Sequence, residues 1–142
     1  MIEIEELPLE SWLQPLKPYQ QKYLCQLVSL HGEEKAAEIW LDANGPIQTS
    51  TFGGGMIEPN KPSLWNQFKK EFDKLICGHP DYEKEQEKFL SKGRTIGLAV
   101  VAEIAEFLAS ILHVSSSLIL PALVLILSTV AKMTVKAYCA LK

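Results

Sequence analysis

The chain lacks basic character, and this bears on what it can bind. Its 142 residues carry 14 Lys and Arg against 17 Asp and Glu, for a formal net charge of −3. Proteins that bind nucleic acid neutralise phosphates with a basic patch or stripe. No such stripe runs along this sequence, so we expect no nucleic acid partner.

Cysteine is scarce as well. The chain has three, Cys25, Cys77 and Cys139, far apart in the sequence. An odd number at such spacing is not typical of a secreted disulfide framework and fits a reducing compartment. The acidic start of the chain also lacks the apolar stretch of a signal peptide. We therefore expect a cytoplasmic protein.

Motifs that carry chemistry are missing too. The glycine triplet at 53–55 is not followed by the Lys-Ser/Thr pair of a phosphate-binding loop. The Cys-Gly-His triplet at 77–79 has no second pair of ligands at a spacing typical of zinc. No nucleophile stands out beside a matching base. These absences predict a protein that is not an enzyme and that has no cofactor and no metal.

Charge is nearly absent from the last third of the chain. Between Thr95 and Ala131 only Glu103 and Glu106 are charged. Residues 1–94 carry a net charge of −4, whereas residues 95–142 carry +1. A segment this apolar must be covered by a core, by another subunit or by a bilayer. These three alternatives decide much of the function.

The first 94 residues show the periodicity of short amphipathic helices, separated by Gly and Pro. The predicted helices of this region span about residues 19–30, 33–43, 63–77 and 79–92. Residues 2–7 alternate weakly, as in an edge strand, but no partner signal supports them. The sequence predicts an all-α fold of about six helices. Residues 1–94 would form a helical head.

A long segment without periodicity interrupts this head. Residues 44–62 read NGPIQTSTFGGGMIEPNKP, and a loop of this length in a compact domain is functional or mobile. Aromatic residues flank it or lie within it, and they are either core anchors or part of a binding patch. The candidate partner-binding residues are Trp40, Phe52, Gly53, Gly54, Gly55 and Trp65.

The apolar segment, residues 95–142, is predicted to form a helical hairpin. One helix of about 20 residues spans 95–114, a serine turn follows, and the second helix runs to about residue 140. Glu103, Glu106, Ser110 and His113 recur at helical spacing, which places them on one narrow polar stripe of the first helix. Antiparallel pairing would bring Glu103 close to Lys132.

A membrane-spanning hairpin is the competing interpretation. Bases flank both of its ends and the turn has none, as the positive-inside rule expects. The ten most apolar residues of the first helix contribute about −4 to −5 kcal/mol to insertion, against about +5 to +7 for its two glutamates. The uncharged run of the second helix, about 14 residues, is typical of a buried helix. The sequence therefore favours a buried or shared core, with conditional insertion into the inner membrane as the alternative.

Three segments in this order resemble a group of bacterial proteins. They are WLDANGPIQTSTFGGG at 40–55, FDKLICGHPDYEKE at 72–85 and LILPALVLILSTVAKMTVKAYCA at 118–140. The chain resembles small, uncharacterised bacterial proteins that combine a helical head with an apolar C-terminal hairpin, found in conflict and anti-phage gene neighbourhoods. The resemblance implies an accessory or effector subunit of a defence system and supplies no mechanism.

Two functions follow as hypotheses. In the first, the chain is a non-enzymatic interaction protein whose head and Gly-rich loop bind a partner protein, and whose hairpin packs in the core or in a homo-oligomer. In the second, it is a membrane-perturbing effector whose hairpin enters the inner membrane when triggered.

Overall fold

The computed structural model describes residues 3–44, 64–90 and 95–140, and helices dominate all three ranges. The helices are α1 (Leu9–Leu13), α2 (Pro18–His31), α3 (Glu33–Asn44), α4 (Leu64–Ile76), α5 (Glu83–Leu90), α6 (Leu98–Leu112), α7 (Ser116–Met133) and α8 (Val135–Ala140), with a 3-10 turn at Pro80–Tyr82. The all-α class is confirmed. The described residues contain eight α-helices, more than the six expected.

A two-residue parallel pair joins the start of the chain to the start of α6. Strand β1 (Glu3–Ile4) pairs with β2 (Thr95–Ile96), and the Glu5 amide donates to the Ile96 carbonyl at 2.8 Å. The expected helix from residue 95 is therefore wrong at its beginning. Thr95 and Ile96 are extended, and Gly97 is the N-cap of α6.

Helix α7 lies at the centre of the fold. It contacts α1, α3, α6, α8 and β1, and its most extensive neighbours are α3 and α6. Its fully buried large aliphatic side chains are Ile119, Leu123, Val124, Leu125, Ile126, Leu127 and Val130. Burying a side chain of this kind stabilises the fold by about 1.5–3 kcal/mol. The middle of α7, from Pro121 to Ser128, is thus buried on every side.

Pro121 lies inside α7. Proline has no amide hydrogen, so it cannot donate to the carbonyl four residues earlier. The indole Nε1 of Trp40 donates to the neighbouring Leu118 carbonyl at 2.8 Å. This bond joins α3 to the first turns of α7 beside the proline.

Helix α6 is shorter than the sequence suggested. It has 15 residues, which corresponds to about 22 Å at 1.5 Å per residue, and so falls short of a bilayer core of about 30 Å. Its C-cap, His113, adopts the left-handed conformation with φ 58° and ψ 42°. The expected helix of about 20 residues is therefore too long at both ends.

The second apolar helix is also interrupted. It was expected to reach about residue 140, but α7 ends at Met133 and α8 begins at Val135. Between them Thr134 has φ 76° and ψ 148°, a region close to one used almost only by glycine. The Thr134 hydroxyl accepts a hydrogen bond from the Ala137 amide at 3.3 Å, so Thr134 caps the new helix.

Two of the three cysteines are joined. Cys77, just after α4, forms a disulfide with Cys139 on α8, and the two Cα atoms are 5.7 Å apart. Only Cys25 is free. This pairing was not predicted, because folding brings together two cysteines that lie 62 residues apart. The reducing compartment stays a prediction.

Candidate interaction surface

Helix α2 begins with strong local signals. Pro18 occupies its first turn, where the missing amide hydrogen is harmless. The Gln20 Oε1 accepts from the Lys17 amide at 3.1 Å, and Gln21 Nε2 donates to the Leu16 carbonyl at 2.8 Å. At the other end Gly32 has a positive φ of 88°, so the chain turns sharply into α3.

The two faces of α2 are unlike each other. Leu24 is fully buried in the core, and Leu27 and Val28 pack against the core. Beside this buried face, Tyr19 is 66% exposed and Leu30 is 75% exposed. Because these two side chains are so exposed, they contribute little hydrophobic free energy to folding. We therefore assign them to a candidate interaction surface and not to the core.

Tyr23 completes this outer face. It is 37% exposed, and its ring lies 5.9 Å from the ring of Trp40 at 58°. Positions 19, 23 and 30 share one side of a helix. Among the described residues, these three are the exposed large apolar side chains. We call Tyr19, Tyr23 and Leu30 the α2 face.

The charge around the α2 face differs from that of the whole chain. Helix α2 has no acidic residue, although acids outnumber bases in the full sequence. Lys17 precedes the helix and Lys22 lies within it, and both side chains are exposed. A partner that complements this helix would therefore present an apolar patch with acidic residues around it.

A shallow depression of about 520 Å³ adjoins Leu30. It is lined by Lys22, Cys25, Gln26, Ser29 and Leu30. The depression gives the α2 face a recess beside its most exposed side chain.

The two described aromatic residues of the predicted loop patch lie in the core. Trp40 and Trp65 are each only 8% exposed. Trp40 binds the Leu118 carbonyl, and the Trp65 ring packs 5.9 Å from that of Phe68. Neither can anchor a partner in this structure. The other predicted members, Phe52, Gly53, Gly54 and Gly55, lie outside the described residues.

The predicted polar stripe runs along α6. Glu106, Ser110 and His113 are exposed, and Glu103 is half-buried. The expected approach of Lys132 to α6 is replaced by another ion pair, since its Nζ binds the Glu33 carboxylate on α3. Glu33 also accepts from the Thr129 hydroxyl at 3.0 Å. The stripe is the solvent-facing side of α6. Lys132 and Thr129 instead attach α7 to α3.

An open groove of about 670 Å³ lies where α2 meets α3. Its lining residues are Val28, His31, Gly32, Glu33, Glu34, Lys35, Glu38 and Thr129. The acids here have basic partners, with Lys35 3.1 Å from Glu38 and Lys69 3.0 Å from Glu34. The groove therefore has no surplus of charge that would select a cation.

Two tyrosine hydroxyls bind carboxylates near α4. The Tyr138 hydroxyl donates to Asp73, and the Tyr82 hydroxyl donates to Glu71. Burial, followed by the bond to the carboxylate, raises the pKa of each tyrosine above its ordinary value of 10.0. Both side chains stay protonated donors at neutral pH, so these groups attach elements to α4.

Metal and membrane signals are limited. In the ranges that the structure describes, no group of three or more His, Cys, Asp or Glu side chains could hold a metal ion. One described helix, α7, is long and apolar enough to cross a membrane, with a mean hydropathy of 1.8. More than half of its 18 residues are buried inside the fold, as in the core helix of a soluble protein.

Comparison with known proteins identifies no relative. No family model matches this chain, and neither a curated protein nor a solved structure matches it.

Proposed function

We propose that this chain is a non-enzymatic interaction protein that binds a partner protein through the α2 face. The observation that carries the proposal is the exposure of Tyr19 and Leu30 on a helix that carries lysine and no acid. Exposed aromatic and aliphatic side chains at helical spacing are typical of surfaces that receive another helix. The partner would present an apolar surface flanked by acids.

This proposal moves the binding surface away from the predicted loop patch and the apolar hairpin. The seven large aliphatic side chains of α7 are fully buried, so they cannot also form a contact between subunits. Their removal into water would cost about 10–20 kcal/mol, as much as or more than the whole stability of a typical domain. A second copy of the chain is one occupant of the α2 face that the experiment must separate from a partner.

The first test is the mass of the purified chain by size-exclusion chromatography with light scattering. A single species of 15.9 kDa supports an α2 face that is free for another protein. If the chain is a stable dimer and Leu30→Glu converts it to a monomer, the α2 face binds a second copy of the chain and not another protein.

The second test places a photo-crosslinking residue at position 30 in the native host. We expect one specific crosslinked protein, and a loss of at least about tenfold in its affinity when Leu30 becomes Glu, as expected for a buried anchor. The matched control is Ser110→Glu on α6, which adds the same charge at an exposed position. Equal loss in both variants, or no loss in either, contradicts the proposal.

The alternative function is a membrane-perturbing effector, and the hydropathy of α7 favours it. In the structure the resting state keeps α7 covered by α3 and α6. Insertion would require the head to separate from α7, breaking the Trp40–Leu118 and Lys132–Glu33 contacts. Lipid would then replace the protein around the same side chains.

Dye release from vesicles of anionic bacterial lipids tests this alternative. An effector would release dye, and replacing Glu103 and Glu106 by Leu would increase the release, because each acid opposes insertion. A chain that leaves vesicles intact, alone and with both replacements, excludes it.

A further inference from the structure

Helix α8 is short and packs against α4 and α7. It has six residues, and an isolated helix of that length is not stable in water. Val135 and Tyr138 are its buried residues. Its described contacts with α4 include the disulfide, the bond from Tyr138 to Asp73, the edge of the Tyr138 ring against Phe72 at 6.1 Å, and Lys69 Nζ 5.4 Å from the centre of the Tyr138 ring.

The backbone leading into α8 is unfavourable. Thr134 has a positive φ of 76°, and a β-branched residue rarely adopts such a conformation. The residues on both sides of Thr134 are helical, and no proline or glycine lies between Val130 and Leu141 to end the helix. The described interactions that favour the break are the Thr134 cap on Ala137 and the contacts of α8 with α4 and α7.

The cysteine pair is accessible to solvent. Cys77 is exposed at the end of α4, and Cys139 is half-exposed on α8. Gly78, which follows Cys77, has a positive φ of 82° and open space around it. The disulfide therefore lies at the surface of the fold, where thiols in solution meet it.

We propose that Cys77 and Cys139 form a reversible dithiol–disulfide switch, and that its reduction releases α8 from α4. The disulfide restrains the chain across a separation of 62 residues, which is a strong restraint on the alternatives to the closed form. Without it, α8 keeps only its non-covalent contacts with α4 and α7, and these must hold it against the unfavourable backbone at Thr134. The proposal is independent of the α2 face.

The reductant is a dithiol, and the exchange conserves atoms and electrons. Its first thiolate attacks Cys77 Sγ, so that a mixed disulfide forms and Cys139 leaves as a thiolate, which takes a proton from water. The second thiolate of the reductant then attacks the reductant sulfur that is bonded to Cys77. This closes a disulfide within the reductant and releases the Cys77 thiolate, which is protonated in turn. The protein gains two electrons and two protons, and the dithiol becomes a disulfide.

The test uses the full chain with Cys25→Ser, so that two cysteines remain. The chain is treated with oxidised glutathione or with dithiothreitol, its thiols are counted by maleimide mass tagging, and its amide exchange is followed by mass spectrometry. We expect no free thiol after oxidation and two after reduction. Reduction should raise the exchange rate of amides 135–140 by about tenfold or more, with the amides of 123–130 unchanged, as for a local opening.

Three results would overturn the switch. Two free thiols, or two glutathione adducts in the mass spectrum, after oxidation would show that the pair does not form. Equal exchange of 135–140 in both states would show that the disulfide does not control α8. Faster exchange throughout 123–130 as well would show a disulfide that supports the whole fold and not a local release.

Two variants separate the parts of the proposal. Cys139→Ser should show the fast exchange of 135–140 under both treatments, and slow exchange there would contradict control by the disulfide. Thr134→Gly relieves the positive φ, so we expect a redox-dependent change in exchange at least about threefold smaller than in the parent, as for a conformation that glycine adopts freely. If the difference in exchange between the oxidised and reduced chains is unchanged in this variant, the backbone conformation of Thr134 does not contribute to the release of α8.

Discussion

Helices α7 and α2 differ in how they handle apolar residues. Helix α7 is apolar on every side of its first half, and it is the most enclosed element of the fold. Helix α2 mixes apolar and polar residues, yet it carries the exposed Tyr19 and Leu30. The helix with the higher hydropathy therefore shows less apolar surface to solvent.

The difference arises from the number of neighbours around each helix. Helix α7 is covered by four helices and a strand, whereas the extensive contact of α2 is with α3 alone. One neighbouring helix covers one face, and the remaining apolar residues of α2 stay outside. A search for binding surfaces that ranks helices by hydropathy would choose α7 and miss α2.

The largest expected effect is the loss of a side chain from α7. Leu123→Ala should lower the free energy of unfolding by about 2–5 kcal/mol, since Leu123 is fully buried and leaves a cavity. The same change at Leu30, which is 75% exposed, should alter it by less than about 0.5 kcal/mol. Urea denaturation followed by circular dichroism measures both. Similar losses would end the contrast between α7 and α2.

A smaller loss is expected where α3 meets α7. Trp40→Phe removes the donor to the Leu118 carbonyl and should lower the free energy of unfolding by about 1–3 kcal/mol. The matched variant is Trp12→Phe, because the buried Trp12 Nε1 has no hydrogen-bond partner among the described residues. Both variants lose the same atoms, so the difference in their denaturation midpoints measures the bond. A larger loss from Trp12→Phe would contradict this role for Trp40.

Much of the fold could be predicted from local pattern. The enclosed surroundings of α7 followed from a run with no polar face, and Gly32 correctly marked the end of α2. The break between α7 and α8 at Thr134 could not be predicted. It involves the contact of α8 with α4, and these two helices are far apart in the sequence. The disulfide was missed for the same reason, since spacing in sequence says nothing about which cysteines folding brings together.

The interaction surface was less predictable. Tyr19, Tyr23 and Leu30 appeared in the sequence as part of one helical pattern with Leu24 and Leu27. Which of them face outward depends on where α3 packs. Trp40 was assigned either to the core or to a binding patch, and only its bond to α7 decides between the two.

The end of α7 offers a prediction of opposite sign. Thr134→Gly should raise the free energy of unfolding of the oxidised chain by about 1–2 kcal/mol, because glycine tolerates the positive φ and loses only a few tenths as a cap. Thr134→Ala keeps the unfavourable backbone and loses the hydroxyl that accepts from Ala137, so it should be destabilising. Thermal unfolding of the two variants checks the order. Equal stabilities would show that Thr134 carries no backbone strain.

The smallest effect concerns the one polar residue buried in the middle of α7. Ser128 is fully buried, and its hydroxyl has no hydrogen-bond partner among the described residues. A buried hydroxyl without a partner loses its hydration and gains nothing in return. Ser128→Ala should therefore raise the free energy of unfolding by about 1 kcal/mol.

The control is Ser110→Ala on α6, where the hydroxyl is exposed and the change should stay within about 0.5 kcal/mol. Because both variants exchange serine for alanine within a helix, the gain in helix propensity is common to them. The difference between the two variants in urea denaturation therefore reports burial alone. A destabilised Ser128→Ala chain would mean that this hydroxyl contributes a bond at the centre of α7, so that the most apolar helix of the fold would depend on a polar contact.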